Sequence, residues 1–182
     1  MPEDPIEIVP YDPSWPHLFE RLAVDLRGAL GDVVLRIDHI GSTAIPQLAA
    51  KPVIDLQISV ADFEPLDVYR LPLGGLGYVF HADNPERTKR FFREAPGQRR
   101  THVHVRRAGS FSEQLALLFR DFMRVHPDVA ARYTYLKMSL AERYKWDRQA
   151  YTDAKQPFIW QVIAQADEWA QLTGWMPGPS DA

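Results

Sequence analysis

The residues with types and spacing suited to chemistry gather in a few stretches. Gly41-Ser42-Thr43 follows an apolar run and precedes Val53 to Val60, where Asp55, Gln57 and Ser59 alternate with Ile54, Leu56, Ile58 and Val60. A period of two places the polar residues on one face of a strand and the apolar ones on the other. Glycine lets the backbone approach a ligand closely, and the amides of such a turn suit a phosphate. Asp55 sits among Val, Ile and Leu, where an unpaired carboxylate is costly. It must therefore pair with a cation, line a wet cleft, or hold a divalent metal against the oxygens of that phosphate. Thr101-His-Val-His-Val sets His102 and His104 on one strand face, beside Arg106. Two imidazoles so spaced either ligate one metal with Asp55, donate to a phosphate, or simply line a polar sheet face.

Lysines and arginines supply further candidates. Lys51 stands at the mouth of the Asp55 strand, placed to meet a phosphate or to stay solvated. Arg87, Arg90 and Arg93 surround Phe91-Phe92 and form either a guanidinium clamp or an exposed basic face. Lys155 is preferred to Lys137, because Thr152 or Asp153 is expected to cap a final helix and bring Lys155 into its first turn. The tryptophans 15, 146, 160 and 169 are read as packing residues rather than base-stacking ones.

The strings His39-Ile-Gly-Ser-Thr-Ala-Ile-Pro, Ala49-Ala-Lys-Pro-Val-Ile-Asp-Leu, Thr101-His-Val-His-Val and Tyr151-Thr-Asp-Ala-Lys-Gln-Pro-Phe-Ile resemble the GrpB-like family. The resemblance runs from about Ile6 to about Trp169. It implies an α/β nucleotidyltransferase fold related to the catalytic domain of DNA polymerase beta, and a domain also found fused to some dephospho-CoA kinases. In that superfamily a Gly-Ser pair precedes Asp-x-Asp or Asp-x-Glu on a strand. Gly41-Ser42 and Asp55 fit, whereas Gln57 stands where the second carboxylate belongs. Two-metal phosphoryl transfer needs several anionic ligands, so one metal site is weakened or lost. If Thr101 to Val105 is the later strand that usually carries a third carboxylate, histidine has replaced it.

The resemblance thus implies Asp55, His102 and His104 as catalytic and metal-holding residues. Gly41, Ser42, Thr43, Lys51, Arg90 and Lys155 are the ligand contacts. The expected cofactors are a divalent metal, Mg or Mn, and a nucleoside triphosphate or other phosphorylated small molecule. A nucleotidyltransferase-like activity leads. A noncatalytic phosphate-binding module and a single-metal hydrolase are the alternatives.

At 182 residues the chain suits one domain, residues 1–175, with a sheet-bearing part over 1–110, a helical part over 111–175 and a plain tail at 176–182. A net charge of -3 gives no general attraction for nucleic acid. Without cysteine there is no disulfide, thiolate metal site or Cys nucleophile. No run has membrane-spanning length, and Pro2, Glu3, Asp4 and Pro5 do not resemble a signal peptide, so a cytoplasmic location is expected.

The remaining elements are expected as follows. A short strand occupies Ile6 to Val9, and a helix capped by Ser14 carries the stripe Leu18, Phe19, Leu22, Ala23, Leu26 and Leu30. A strand spans Val33 to Ile40, a short helix or turn Thr43 to Ala50, and a helix interrupted by Pro65 Asp62 to Tyr69. The glycine-rich run from Leu71 to Gly77 reads as a turn before a strand at Tyr78 to His81, with another strand around Phe91-Phe92. Two helical stripes follow, broken at His126-Pro127, and the last helix begins near Pro157.

Overall fold

A computed structural model describes residues 5–182; Pro2, Glu3 and Asp4 lie outside the described residues. The strands are β1 (Arg36–Ile40), β2 (Ile54–Val60), β3 (Tyr78–Phe80), β4 (Arg90–Glu94) and β5 (Thr101–Arg107). They form one sheet in the order β1-β2-β5-β4-β3, in which only the β2–β5 pair is parallel. The helices are α1 (Trp15–Leu30), α2 (Asp67–Gly75), α3 (Phe111–Val125), α4 (Pro127–Arg143) and α5 (Arg148–Thr173). The expected α/β architecture, a mixed sheet flanked by helices with a helical C-terminal part, is what the chain adopts.

Each sheet face has its own cover. On one, Trp15, Phe19, Ala23 and Leu26 of α1 pack with Tyr69 and Leu73 of α2 against Leu56, Ile58, Phe92, Val103 and Val105. On the other, the polar row of β2 meets the three C-terminal helices. These have a core of their own, in which Phe122, Val129, Tyr133 and Val162 pack with Ile45 and Leu48 from the segment between β1 and β2.

Several expectations are corrected. Ile6 to Val9 forms no strand beyond a single bridge from Val9 to Ala50. Ser14 makes no side-chain cap; its own N–H donates to Asp12 Oδ1 at 2.8 Å. The first strand begins at Arg36, after a tight turn over Gly31–Val33. The stretch read as a turn is largely α2, which runs through Pro72 to Gly75. Tyr69 and Leu73, one helical turn apart and wholly buried, give that helix an apolar anchor that outweighs its poor propensity. The last helix starts nine residues early, at Arg148 rather than Pro157, with Asp147 accepting from the Ala150 N–H at 2.9 Å. Trp146 and Trp160 are exposed rather than packed.

Residues 178–182 are more than a plain tail. Ser180 and Asp181 accept the outward N–H groups of Ile37 and His39 on β1, the edge strand, at 2.8 and 2.9 Å. Side chains thereby satisfy an edge that a further strand would otherwise seek. Asp181 also accepts from the buried Arg120 at 2.7 Å. Among the described residues, no helix is long and apolar enough to cross a membrane.

Candidate functional site

Strand register gathers the site. In the parallel pairing, Asp55 lies opposite His102 and Gln57 opposite His104, so all four side chains emerge on the face beneath α3, α4 and α5. Asp55 Oδ1 is 3.0 Å from His102 Nδ1 and 3.2 Å from His104 Nε2. The ligand atoms of the three residues all lie within 4.8 Å of one another. Phe91, opposite His104 on β4, has its ring centroid 5.3 Å from the His102 ring and 5.2 Å from the His104 ring, which limits their rotation. Burial alone would raise the Asp55 pKa, but hydrogen bonds from His102 and His104 outweigh it and hold the carboxylate ionised. Burial lowers the His104 pKa to about 4, which keeps that imidazole neutral.

Gln57 belongs to a different structure. Its Oε1 accepts from Arg106 at 2.7 Å, and its Nε2 donates to the Glu113 carbonyl at 3.4 Å. Ser59, next on the same face, donates to the Glu113 carboxylate, which also takes the Gly109 N–H at 2.6 Å. Gln57, Ser59 and Glu113 are all essentially inaccessible, so the second half of the polar row binds α3 to the sheet.

Two cavities of opposite character meet at Asp55 and Ser42. One, of about 210 Å³, is bordered by Lys51, His102, Lys137, Tyr151 and Lys155. Burial, followed by repulsion from Lys155, lowers the Lys137 pKa to about 7. Burial, followed by repulsion from Arg148, Arg100 and Lys155, lowers that of Lys51 to about 8. Burial lowers Lys155 too, against the attraction of Asp55. The other cavity, of about 330 Å³, is walled mainly by apolar side chains of α3, α4 and α5.

Of the sequence candidates, Gly41, Ser42, Lys51, Asp55, His102, His104 and Lys155 come together. Thr43 borders the lysine cavity, but its hydroxyl donates to the Val53 carbonyl at 3.1 Å and lies 3.0 Å from His39 Nε2. It pins the turn. Arg90 does not reach the site: it pairs in register with Val105 on the opposite face, with its guanidinium 4.2 Å from the Phe63 ring. Phe92 must be buried, and alternation along β4 carries Arg90 with it. Lys155 arrives for a different reason than a helix start. Since α5 begins at Arg148, Lys155 lies in its third turn, 4.4 Å from the centre of the Tyr151 ring.

Lys137, ranked below Lys155 from sequence, is as much a part of the cavity, and Phe91 was not foreseen as a wall. A lysine on the apolar stripe of α4, four residues after Tyr133 and three before Leu140, was the available signal for the first.

The family description "GrpB protein" matches residues 5–165. A UPF0157 protein of Pseudomonas aeruginosa is 40% identical over 168 residues, covering 90% of this chain and 69% of its own length. A dephospho-CoA kinase of Mycolicibacterium paratuberculosis is 35% identical over 198 residues, covering 95% of this chain and 49% of that protein. The chain therefore spans about half the length of that kinase. The crystal structure of the conserved protein GrpB from Enterococcus faecalis aligns with a TM-score of 0.82 at 31% identity, covering 90% of this chain and 99% of the other. Sequence, family description and three-dimensional arrangement agree over nearly the whole chain, which belongs to the GrpB family.

Proposed function

We propose that this protein binds a phosphorylated small molecule at a single divalent metal ion and acts on its phosphate ester or anhydride. Nucleotides belong to this class, as the nucleotidyltransferase resemblance implies. The observation that carries the reading is the convergence on one carboxylate of two imidazoles and a lysine-lined cavity.

The donor set fits a metal. Asp55, His102 and His104 would hold it, and a carboxylate with two imidazoles favours manganese or zinc over magnesium. Gly41 leaves room for the carboxylate, since a β-carbon there would stand 2.6 Å from Asp55 Oδ2. When bound, such an ion polarises a phosphoryl oxygen and offsets its charge. Gln57, engaged with Arg106 and Glu113, does not provide for a second ion. Lys51, Lys137 and Lys155 would bind the phosphate oxygens, and the repulsion among them is what an anion relieves. A noncatalytic binding module is the second reading, favoured by that structural role of Gln57.

Calorimetry tests the proposal by loading the protein with manganese or zinc and then titrating ADP or ATP, followed by an assay for phosphate release. Binding with metal-dependent turnover is expected. Binding without turnover favours the second reading, and no binding of either ligand refutes both.

A further inference from the structure

The cavity of about 330 Å³ on the far side of Asp55 differs from the lysine pocket in every respect except that Asp55 and Ser42 line both. Its walls are Leu115, Ala116 and Phe119 of α3, Tyr133 of α4, and Ile159 and Ile163 of α5. Its floor carries Arg106, which is 8% exposed. The Arg106 Nη1 donates to Gln57, and the charge of the guanidinium is felt by Glu86, which lines the same cavity. A guanidinium carries five N–H donors, so a hydrogen-bond acceptor on a ligand finds a partner on this floor.

We infer that the substrate is amphiphilic: a phosphate in the lysine pocket, joined past Asp55 to a flat, largely apolar body that fills this second cavity and turns an acceptor atom toward the Arg106 guanidinium. The inference rests on the phosphate reading above and adds to it the chemistry of the rest of the molecule. One ligand occupies both spaces because the reacting bond must lie at Asp55, where they join. An aryl or heteroaryl body suits the walls. Phe119 and Tyr133 meet edge to face at 6.0 Å, and such rings present flat surfaces to a third. A cavity of this size, mainly apolar with a few polar groups at one end, has the anatomy of a small-molecule site. The same features argue against simple sugar phosphates, which carry no flat apolar group and whose hydroxyls would lose water here without finding partners.

The test compares affinities for inorganic phosphate, phenyl phosphate and 4-acetylphenyl phosphate in the presence of manganese, using the wild type, Ala116→Trp and Arg106→Lys. In the wild type, phenyl phosphate should bind at least tenfold more tightly than phosphate, and the acetyl compound more tightly again. Ala116→Trp should erase the first gain with phosphate affinity unchanged, and Arg106→Lys should erase the second. If Ala116→Trp does not fold, Ile163→Phe fills the cavity from the opposite wall. Equal wild-type affinities for phosphate and phenyl phosphate would overturn the inference while leaving the phosphate reading intact. Failure of all three ligands to bind would overturn both.

Discussion

Gly41 and Asp55 are packed so closely that a β-carbon on the glycine would lie 2.6 Å from the carboxylate Oδ2 and 3.1 Å from Asp55 Cβ and Cγ. Gly41 also has φ +71°, a conformation that side chains resist. The Gly-Ser pair therefore serves the carboxylate as well as the turn. Gly41→Ala should leave the far-ultraviolet circular dichroism unchanged and weaken manganese affinity at least tenfold, because Asp55 must move. Wild-type affinity in that variant would show that the close approach has no bearing on the metal.

Removing any of the three donors should abolish stoichiometric metal. Elemental analysis after zinc or manganese loading and dialysis should give about one ion per chain for the wild type. Asp55→Asn, His102→Ala and His104→Ala should each retain little. Retention in Asp55→Asn would place the ion elsewhere.

Placing at position 57 the carboxylate that the nucleotidyltransferase resemblance implies should not create a second metal site. Gln57 is wholly buried between Arg106 and Glu113, so Gln57→Asp would shorten the side chain and lose the donor to the Glu113 carbonyl. A destabilisation of about 1–3 kcal/mol in urea unfolding is expected from one unsatisfied buried group, with no gain of activity. A gain of metal-dependent transfer would contradict the structural role assigned to Gln57.

Lys137 should make stability depend on pH. Its folded pKa of about 7 lies below the unfolded value of 10.5, because burial and then Lys155 disfavour the charge. Between those values the unfolded chain binds more protons, so this contribution to stability rises with pH from about 7 to 10 and is least favourable below 7. Lys137→Met should accordingly melt about 5 °C above the wild type at pH 6.5, with the gap narrowing steadily as the pH rises toward 10. A gap that does not change with pH would show that Lys137 is not held against its charge.

The C-terminal contacts predict a measurable loss on disruption. Ser180→Ala with Asp181→Ala leaves the Ile37 and His39 amides without these acceptors and takes a carboxylate from Arg120. Urea denaturation should register a loss of about 1–3 kcal/mol. An unchanged midpoint would mean that solvent satisfies the β1 edge equally well.

The parts of the molecule that could be read from sequence are those where a single period decides the outcome. Alternation along Ile54–Val60 and Thr101–Arg107 placed Asp55 with the two histidines, and the helical stripes with the break at His126-Pro127 located α3 and α4. Failures came where tertiary burial overrode local preference. Tyr69 and Leu73 pull a Pro- and Gly-bearing segment into a helix, and buried Tyr151 and Val162 sit on an α5 that runs on through Pro157. Arg90 was misplaced because two adjacent phenylalanines do not reveal which one faces inward; Phe92 does, while Phe91 turns to the imidazoles. The partners of Gln57 come from residues 49 and 56 positions away, a distance at which no local pattern speaks.

The parallel pairing of β2 with β5 has one more consequence. Asp55, His102 and His104 are anchored on two directly bonded neighbours in the middle of the sheet, so no hinge separates one donor from another. An ion seated there would keep its distances while everything above it shifted. If a ligand binds above it, the elements free to differ among relatives would be α3, α4 and α5, which form most of the cavity walls, rather than the strands.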